Sequence, residues 1–99
     1  MGELLTRESF DPHVGGIFGV ANGHHALTLV RIETRPIEAW EQKMGLRAPF
    51  NLIFSGPPGD VLAEGMHRLA LEDGTSFELY VNPIHTPVRD RQDYQSSFN

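Results

Sequence analysis

Residues 48–61, which read APFNLIFSGPPGDV, carry the strongest strand signal in the chain. From Phe50 to Phe54 a large apolar residue occupies every second position, which is typical of a strand with one buried face. The strand ends at the GPPG sequence because proline lacks the amide hydrogen that a sheet ladder needs. Pro58 and Gly59 suit the two central positions of a type II turn. We therefore predict that this segment is the central strand of the fold.

Length and composition indicate one small all-β domain over residues 1–99. The hydrophobic fraction of 39% is typical of a folded chain rather than a disordered one. A chain of 99 residues is long enough to bury a single core. Its 10 glycines and 7 prolines imply many turns between short elements, which favours strands over long helices.

The balance of charge argues against nucleic acid and membrane surfaces as partners. Eight Lys and Arg against 13 Asp and Glu give a net charge of −5, and an acidic chain is repelled by phosphate backbones and anionic lipid. No apolar run approaches the about 20 residues that span a bilayer, and the first ten residues do not resemble a secretory signal. The chain has no cysteine, which fits a reducing compartment. We expect a cytoplasmic protein.

Alternation and turn signals predict further strands along the chain. Asn22-Gly23 favours a type I′ hairpin turn because both residue types tolerate positive φ, and Asp73-Gly74 marks a second hairpin. The predicted strands cover residues 14–20, 25–33, 67–72, 77–82 and 94–98.

The second of these strands has a mixed pattern. Leu27 and Leu29 point to one face, whereas Val30 and Ile32 point to the other. Either a bulge shifts the register near Leu29, or both faces of the strand are covered there. The sequence leaves both interpretations open.

Helical structure is predicted only near the N-terminus and after the second strand. Within residues 1–10, Leu4, Leu5 and Phe10 could pack on the core from a short helical turn. Residues 36–45 fit either a short helix, with proline at its first position and glycine at its end, or a loop that crosses an open end of a barrel. The predicted fold class is all-β: a small antiparallel barrel or sandwich of about six strands, joined largely by hairpins, with at most one short helix.

Several stretches of the chain together resemble one family of bacterial proteins. They are Phe10 with Val14-Gly15, residues 47–57 (RAPFNLIFSGP), residues 73–84 with their hairpin and the FELYVNPI segment, and residues 94–99 (YQSSFN). They resemble an uncharacterised family of similar length, a domain of unknown function with an RxPFxLxFxGP motif. Asn82 and the insert at residues 37–45 depart from the family pattern. The resemblance brings no catalytic residues, and it implies an accessory or assembly role beside phage-tail-like or tail-collar-like components.

The histidines of the chain raise a metal hypothesis; they are His13, His24, His25, His67 and His85. Adjacent residues of a strand point to opposite faces, so His24 and His25 cannot easily share one ion. The remaining combination joins one of them with His67 across strands, together with Glu33 or Glu64. If these residues bind no metal, the two histidines near the turn are surface residues and the third lies at the edge of the core. We predict no metal and no cofactor, and a metal- or small-molecule-binding barrel or enzyme using His25 and His67 is the alternative function.

Motifs for covalent or phosphate chemistry are not supported. Ser55-Gly56 is not a nucleophile elbow, because Ile53 occupies the position where glycine would permit that turn. GPPG lacks both the Gly-Lys-Ser/Thr sequence and the amide donors of a phosphate loop. Asp60 and Glu64 could form a carboxylate pair, but acidic side chains in a loop are usually solvated. We predict no catalytic residues.

An exposed aromatic residue is the best functional lead in the sequence. Tyr80 falls on the polar face of its predicted strand, together with Glu78 and Asn82. Aromatic side chains among polar neighbours are typical anchors of protein interfaces, and Trp40 is open to the same role. We predict a non-enzymatic interaction or assembly module that binds a protein partner through Tyr80 and Trp40.

Overall fold

The computed structural model describes residues 5–34, 36–45 and 49–98. Within these ranges the chain forms six strands: β1 (Ile17–Val20), β2 (Ala26–Thr34), β3 (Phe50–Gly56), β4 (Gly65–Ala70), β5 (Ser76–Pro83) and β6 (Gln92–Phe98). They close into an antiparallel barrel with the order β1-β2-β3-β6-β5-β4, and β4 pairs back with β1. The prediction of a small all-β antiparallel fold of about six strands is confirmed, and of its two alternatives, barrel or sandwich, the structure is the barrel.

Strand β3 lines the barrel interior with the residues that its alternation predicts. Phe50, Leu52 and Phe54 are 4%, 0% and 0% exposed, and they belong to one apolar cluster with residues from the other strands. Each large apolar side chain removed from water contributes about 1.5–3 kcal/mol, so this cluster is the main source of stability. Ile53 faces outward by alternation, yet it is also buried. The prediction of a single buried face is therefore incomplete, because β3 is covered on both sides at this position.

A β-bulge resolves the mixed pattern of β2. Leu29 pairs with Phe54 and Arg31 pairs with Ile53, so Val30 is an extra residue that has no partner in the register. The inserted residue lets Leu29 before the bulge and Ile32 after it both face the core, without a break in the sheet. The bulge near Leu29 is the alternative that the structure confirms.

The turn between β1 and β2 is wider than predicted. Asn22 has a positive φ of 64°, whereas Gly23 does not adopt positive φ. The Val20 amide donates to the His25 carbonyl at 3.0 Å, which leaves residues 21–24 in the turn. A type I′ turn needs positive φ at both central residues of a two-residue loop. The hairpin is confirmed, but the predicted turn type is wrong.

The hairpin between β4 and β5 is closed by a three-residue loop at residues 72–74. The Leu71 amide donates to the Thr75 carbonyl at 2.7 Å, and the Gly74 amide donates to the Leu71 carbonyl at 3.0 Å. Gly74 has φ of 93°, the left-handed conformation that glycine adopts without steric cost in such loops. The predicted hairpin at Asp73-Gly74 is confirmed.

The connection from β3 to β4 is not a hairpin. In the order of the barrel these two strands lie on opposite sides, so residues 57–64 must cross an open end. Gly59 has φ of 80°, which agrees with the third position of the predicted type II turn. Leu62 of this crossing loop is 6% exposed and joins the core. The expectation that hairpins join most strands misses this crossover.

The opposite end of the barrel is closed by an aromatic cluster. A single-turn helix, α1 (Arg7–Phe10), and a turn of 3-10 helix, Asp11–His13, place Phe10 at the barrel mouth. The Phe10 ring centroid lies 4.7 Å from that of Phe77, 5.5 Å from that of Phe98 and 6.2 Å from that of Phe50. We call this end the aromatic end, and we call the end crossed by residues 57–64 the polar end.

Residues 36–45 contain one helical turn within a longer connection. Helix α2 (Ala39–Lys43) begins after Glu38, whose amide donates a hydrogen bond to the Glu41 carboxylate at 2.9 Å. The helical content is thus small, as predicted. Leu4, the Arg47-Ala48 pair of the family motif and Asn99 lie outside the described residues. Across the described part of the chain, no helix combines the length and the apolar character that a membrane crossing requires.

Candidate functional site

The crossing loop of residues 57–64 is held at the polar end by side chains from separate parts of the barrel. Its backbone follows β3 and leads into β4, and its apolar anchor is the buried Leu62. Asp60 forms hydrogen bonds with His24 and His25. The Leu62 amide donates to the Tyr94 hydroxyl at 2.9 Å, and the Ala63 carbonyl accepts from His67 Nε2 at 2.7 Å. The Glu64 carboxylate accepts a hydrogen bond from the Tyr80 hydroxyl.

The contacts of Asp60 bring two imidazoles and one carboxylate together. His24 Nε2 forms a hydrogen bond with Asp60 Oδ2, and His25 Nε2 lies 3.3 Å from Asp60 Oδ1. The two imidazole rings stack, with centroids 4.4 Å apart and an interplanar angle of 27°. The potential ligand atoms of the three residues all lie within 4.8 Å of one another. We call this group the His-His-Asp cluster.

The cluster is open to solvent on one side. The side chains of His24 and Asp60 are 75% and 53% exposed, whereas that of His25 is 14% exposed. The pKa of the Asp60 carboxyl lies below its ordinary value of 3.8, chiefly because His24 donates a hydrogen bond to it. Partial desolvation opposes this shift, and the charge on protonated His24 and His25 adds to it. Asp60 is therefore an ionised carboxylate at neutral pH.

The expectation that His24 and His25 point in opposite directions is wrong. It assumed that both residues lie in a strand, but β2 begins at Ala26, so both histidines lie in or beside the turn. Side chains of a turn do not follow the two-residue alternation of a strand. The third member, Asp60, was considered only as a solvated acid or as the partner of Glu64. The turn signal at Asn22-Gly23 was the clue that alternation need not apply next to it.

The predicted combination of His25 with His67 is not assembled. His67 Nε2 donates to the Ala63 carbonyl, so its proton is on that nitrogen. Glu33 pairs with Arg31 at 2.9 Å, and Glu64 accepts from Tyr80. Among the described residues, the His-His-Asp cluster is the only group of three or more such side chains that could converge on one metal ion.

The remaining two histidines lie elsewhere. The His13 ring lies at the aromatic end, with its centroid 6.4 Å from that of Phe18 and 6.0 Å from that of Phe77. His85 is exposed in the connection between β5 and β6.

Tyr80 lies on the outer face of β5, as predicted, directly opposite Met66 of β4. The two residues are 49% and 60% exposed, and together they form an apolar patch that we call the Met-Tyr pair. The hydrogen bond to Glu64 raises the pKa of Tyr80 above its ordinary value of 10.0, because the nearby carboxylate disfavours a second negative charge. On the next outward position of the two strands, Arg68 and Glu78 form a weak ion pair at 3.9 Å.

Trp40 lies on α2, in the connection from β2 to β3, and is 59% exposed. Its indole Nε1 donates to the Glu38 carboxylate at 3.2 Å. Both predicted partner-binding aromatics are therefore exposed and held by carboxylates, but they lie on different elements of the fold. The structure does not join them into one compact site.

A shallow depression of about 480 Å³ was not anticipated from the sequence. It lies where β2, β3 and β6 reach the aromatic end. Its walls contain one carboxylate side chain together with amide, hydroxyl and aromatic side chains. It is lined by Glu33, Thr34, Pro49, Phe50, Asn51, Gln95, Ser97 and Phe98. Its residues are distant in sequence, so only strand pairing brings them together.

The comparisons with known proteins concern the family and not an activity. No curated protein and no solved structure matches the chain. A family model described as a domain of unknown function, DUF6916, matches residues 5–98, which is nearly the whole chain. The resemblance to an uncharacterised family is thereby confirmed, and the chain belongs to the DUF6916 family.

Proposed function

We propose that this domain is a non-enzymatic interaction module that docks on a partner protein through the Met-Tyr pair on the outer face of β4 and β5. The observation that carries the proposal is the pairing itself: Met66 and Tyr80 are directly opposite in the register, and each exposes about half or more of its surface. Methionine and tyrosine are both enriched at protein interfaces. A directly opposed pair on a sheet presents a continuous apolar surface.

The surroundings of the pair support this proposal. The hydroxyl of Tyr80 is held by Glu64, so the ring loses little conformational freedom when a partner covers it. Arg68 and Glu78 lie beside the pair with side chains 56% and 62% exposed, which supplies the polar rim that surrounds interface anchors. Trp40 is proposed as a second contact on a separate element.

The proposed partner is a protein of a larger assembly. The resemblance to a family with an RxPFxLxFxGP motif implies a role beside phage-tail-like components, and we propose an assembly of that kind as the one that contains the partner. The net charge of −5 supports a protein partner rather than nucleic acid. A cytoplasmic location is part of the same proposal.

The alternative of a metal- or small-molecule-binding enzyme that uses His25 and His67 has less support. His67 is engaged by the Ala63 carbonyl, and the interior of the barrel is occupied by the apolar core. The Met-Tyr pair therefore remains the better lead.

Affinity capture from the native cell tests the proposal. Tagged wild-type protein is compared with Tyr80→Ala, Met66→Ala and Trp40→Ala, and the captured proteins are identified. We expect one protein to be captured by the wild type and lost with Tyr80→Ala and Met66→Ala, while the melting temperature is unchanged. Val30→Ala is the matched control, because Val30 is 40% exposed on β2, on the opposite side of the barrel.

The proposal is wrong if Tyr80→Ala and Met66→Ala capture the same protein as the wild type. The proposal is also wrong if Val30→Ala loses the captured protein to the same degree, because the loss would then not be specific to the face that carries Met66 and Tyr80.

A further inference from the structure

We infer that the His-His-Asp cluster is a binding site for a divalent transition metal of the Zn²⁺ type, ligated by His24 Nε2, His25 Nε2 and an Asp60 carboxylate oxygen. This inference is independent of the proposed docking surface. It starts from the convergence of three ligand atoms within 4.8 Å on two separate connections of the barrel.

The spacing of the ligand atoms suits a tetrahedral ion. Zinc bonds to nitrogen and oxygen of about 2.0–2.2 Å place neighbouring ligand atoms about 3.3 Å apart in a tetrahedron. His25 Nε2 and Asp60 Oδ1 are separated by 3.3 Å. The His24 side chain is 75% exposed, so it has room to adjust the position of its Nε2 as the ion binds.

The chemistry of the ligand set selects the class of metal. Two imidazoles and one carboxylate are typical ligands of zinc and of neighbouring transition metals. Mg²⁺ and Ca²⁺ prefer sites made of oxygen ligands. With three protein ligands and the exposed side of His24 and Asp60, the fourth position would be open to water or to a ligand from solution.

Both halves of the site are anchored by contacts that do not involve the ligands' own side chains. The β1–β2 turn is closed by the hydrogen bond from the Val20 amide to the His25 carbonyl. The crossing loop is fixed by the Leu62 amide on Tyr94 and by the Ala63 carbonyl on His67. Because the backbone on both sides is held, little ordering is required when the ion binds.

Metal binding would replace the hydrogen bonds within the cluster with bonds from the same atoms to the ion. In the metal-free cluster the Nε2 atoms donate hydrogen bonds to Asp60. On binding, each neutral imidazole carries its proton on Nδ1 instead, and the Nε2 lone pair and the carboxylate bind the ion.

Calorimetric titration of the full chain with ZnCl₂ tests the inference. Loss of a residue that only supports a metal ligand lowers affinity about 10–100-fold. We therefore expect uptake of one equivalent by the wild type, and an affinity lower by at least that factor for His24→Ala and for Asp60→Asn, which each lose a direct ligand. Both side chains are largely exposed, so these variants keep the core. His85→Ala is the matched control, since it removes an exposed histidine of another connection and should bind zinc as the wild type does.

Thermal melting with ZnCl₂ or with EDTA supplies a second readout. An ion that binds only the folded state raises the melting temperature, and we expect this rise for the wild type and for Tyr80→Ala but not for Asp60→Asn. Tyr80→Ala separates this test from that of the docking surface. No uptake of one equivalent by the wild type would overturn the inference, and so would an equal loss of affinity in His85→Ala and His24→Ala.

Discussion

The two ends of the barrel are closed by different interactions. At the aromatic end Phe10 is fully buried and packs against Phe77 and Phe98. At the polar end a crossing loop is held by Leu62 and by hydrogen bonds from side chains of other connections and strands. Apolar packing depends on buried area and not on protonation, whereas the polar contacts depend on pH and on exact partners. The two ends therefore differ in kind: one is closed by apolar packing, and the other by contacts that involve titratable side chains.

The largest effect is expected from Phe10→Ala at the aromatic end. Removing a fully buried phenylalanine leaves a cavity among Phe50, Phe77 and Phe98, and such substitutions cost about 3–5 kcal/mol. Urea or thermal unfolding would measure the loss. A loss under about 1 kcal/mol would show that Phe10 does not close this end, and the contrast between the two ends would disappear.

A smaller loss is expected from Tyr94→Phe at the polar end. The ring stays in the core, but the buried Leu62 amide loses its acceptor, and an unpaired buried donor costs about 1–3 kcal/mol. The same unfolding measurement applies. Tyr80→Phe is the matched control, because it removes a hydroxyl from an exposed tyrosine and should leave the stability unchanged. Equal losses in the two variants would mean that burial of the Leu62 contact is not what matters.

The contribution of Asp60 to stability should depend on pH. Its folded-state pKa lies below 3.8, so its stabilising contacts are present above the unfolded-state pKa and are lost as the pH falls through the folded-state value. We expect wild type to melt at a higher temperature than Asp60→Asn at about pH 6, and the difference to shrink towards about pH 3. Asp90→Asn, at an exposed acid of another connection, should show no such change. A difference that is constant with pH would show that the ionised Asp60 carboxylate does not stabilise the fold through its contact with His24.

The smallest effect concerns the titration of Tyr80 and not the stability of the fold. Glu64 raises the pKa of Tyr80 above 10.0, so Glu64→Gln should lower that pKa towards the ordinary value. A pH titration of the tyrosine ring carbons by NMR measures this for each tyrosine separately. An unchanged pKa of Tyr80 in Glu64→Gln would show that the Glu64 carboxylate does not perturb the Tyr80 hydroxyl.

Much of the barrel could be predicted because the signals are local. Three signals concern neighbouring residues only, and each predicted the correct feature. They are the alternation from Phe50 to Phe54, the break in alternation at Val30 and the turn at Asp73-Gly74. The errors have the same origin. Alternation was extended from β2 into the turn at His24, and nothing local indicated that Ile53 would be covered on the outer face.

The candidate sites differ in how far they could be foreseen. The exposure of Tyr80 followed from its place on a strand, but its partner Met66 required the register of β4 against β5. The His-His-Asp cluster could not be foreseen, because Asp60 lies 36 residues from His24 in sequence. The two meet only because β3 and β4 occupy opposite sides of the barrel and the loop between them must cross the polar end.

The sequence by itself determined the strands, most of the turns and the residues that fill the interior, since these follow from side-chain polarity at successive positions and from the φ preferences of glycine and proline. Only the tertiary structure decided the order of the strands, the route of the crossing loop and the meeting of His24, His25 and Asp60. These depend on contacts between residues far apart in the chain, whose free energies exist only once the barrel has closed.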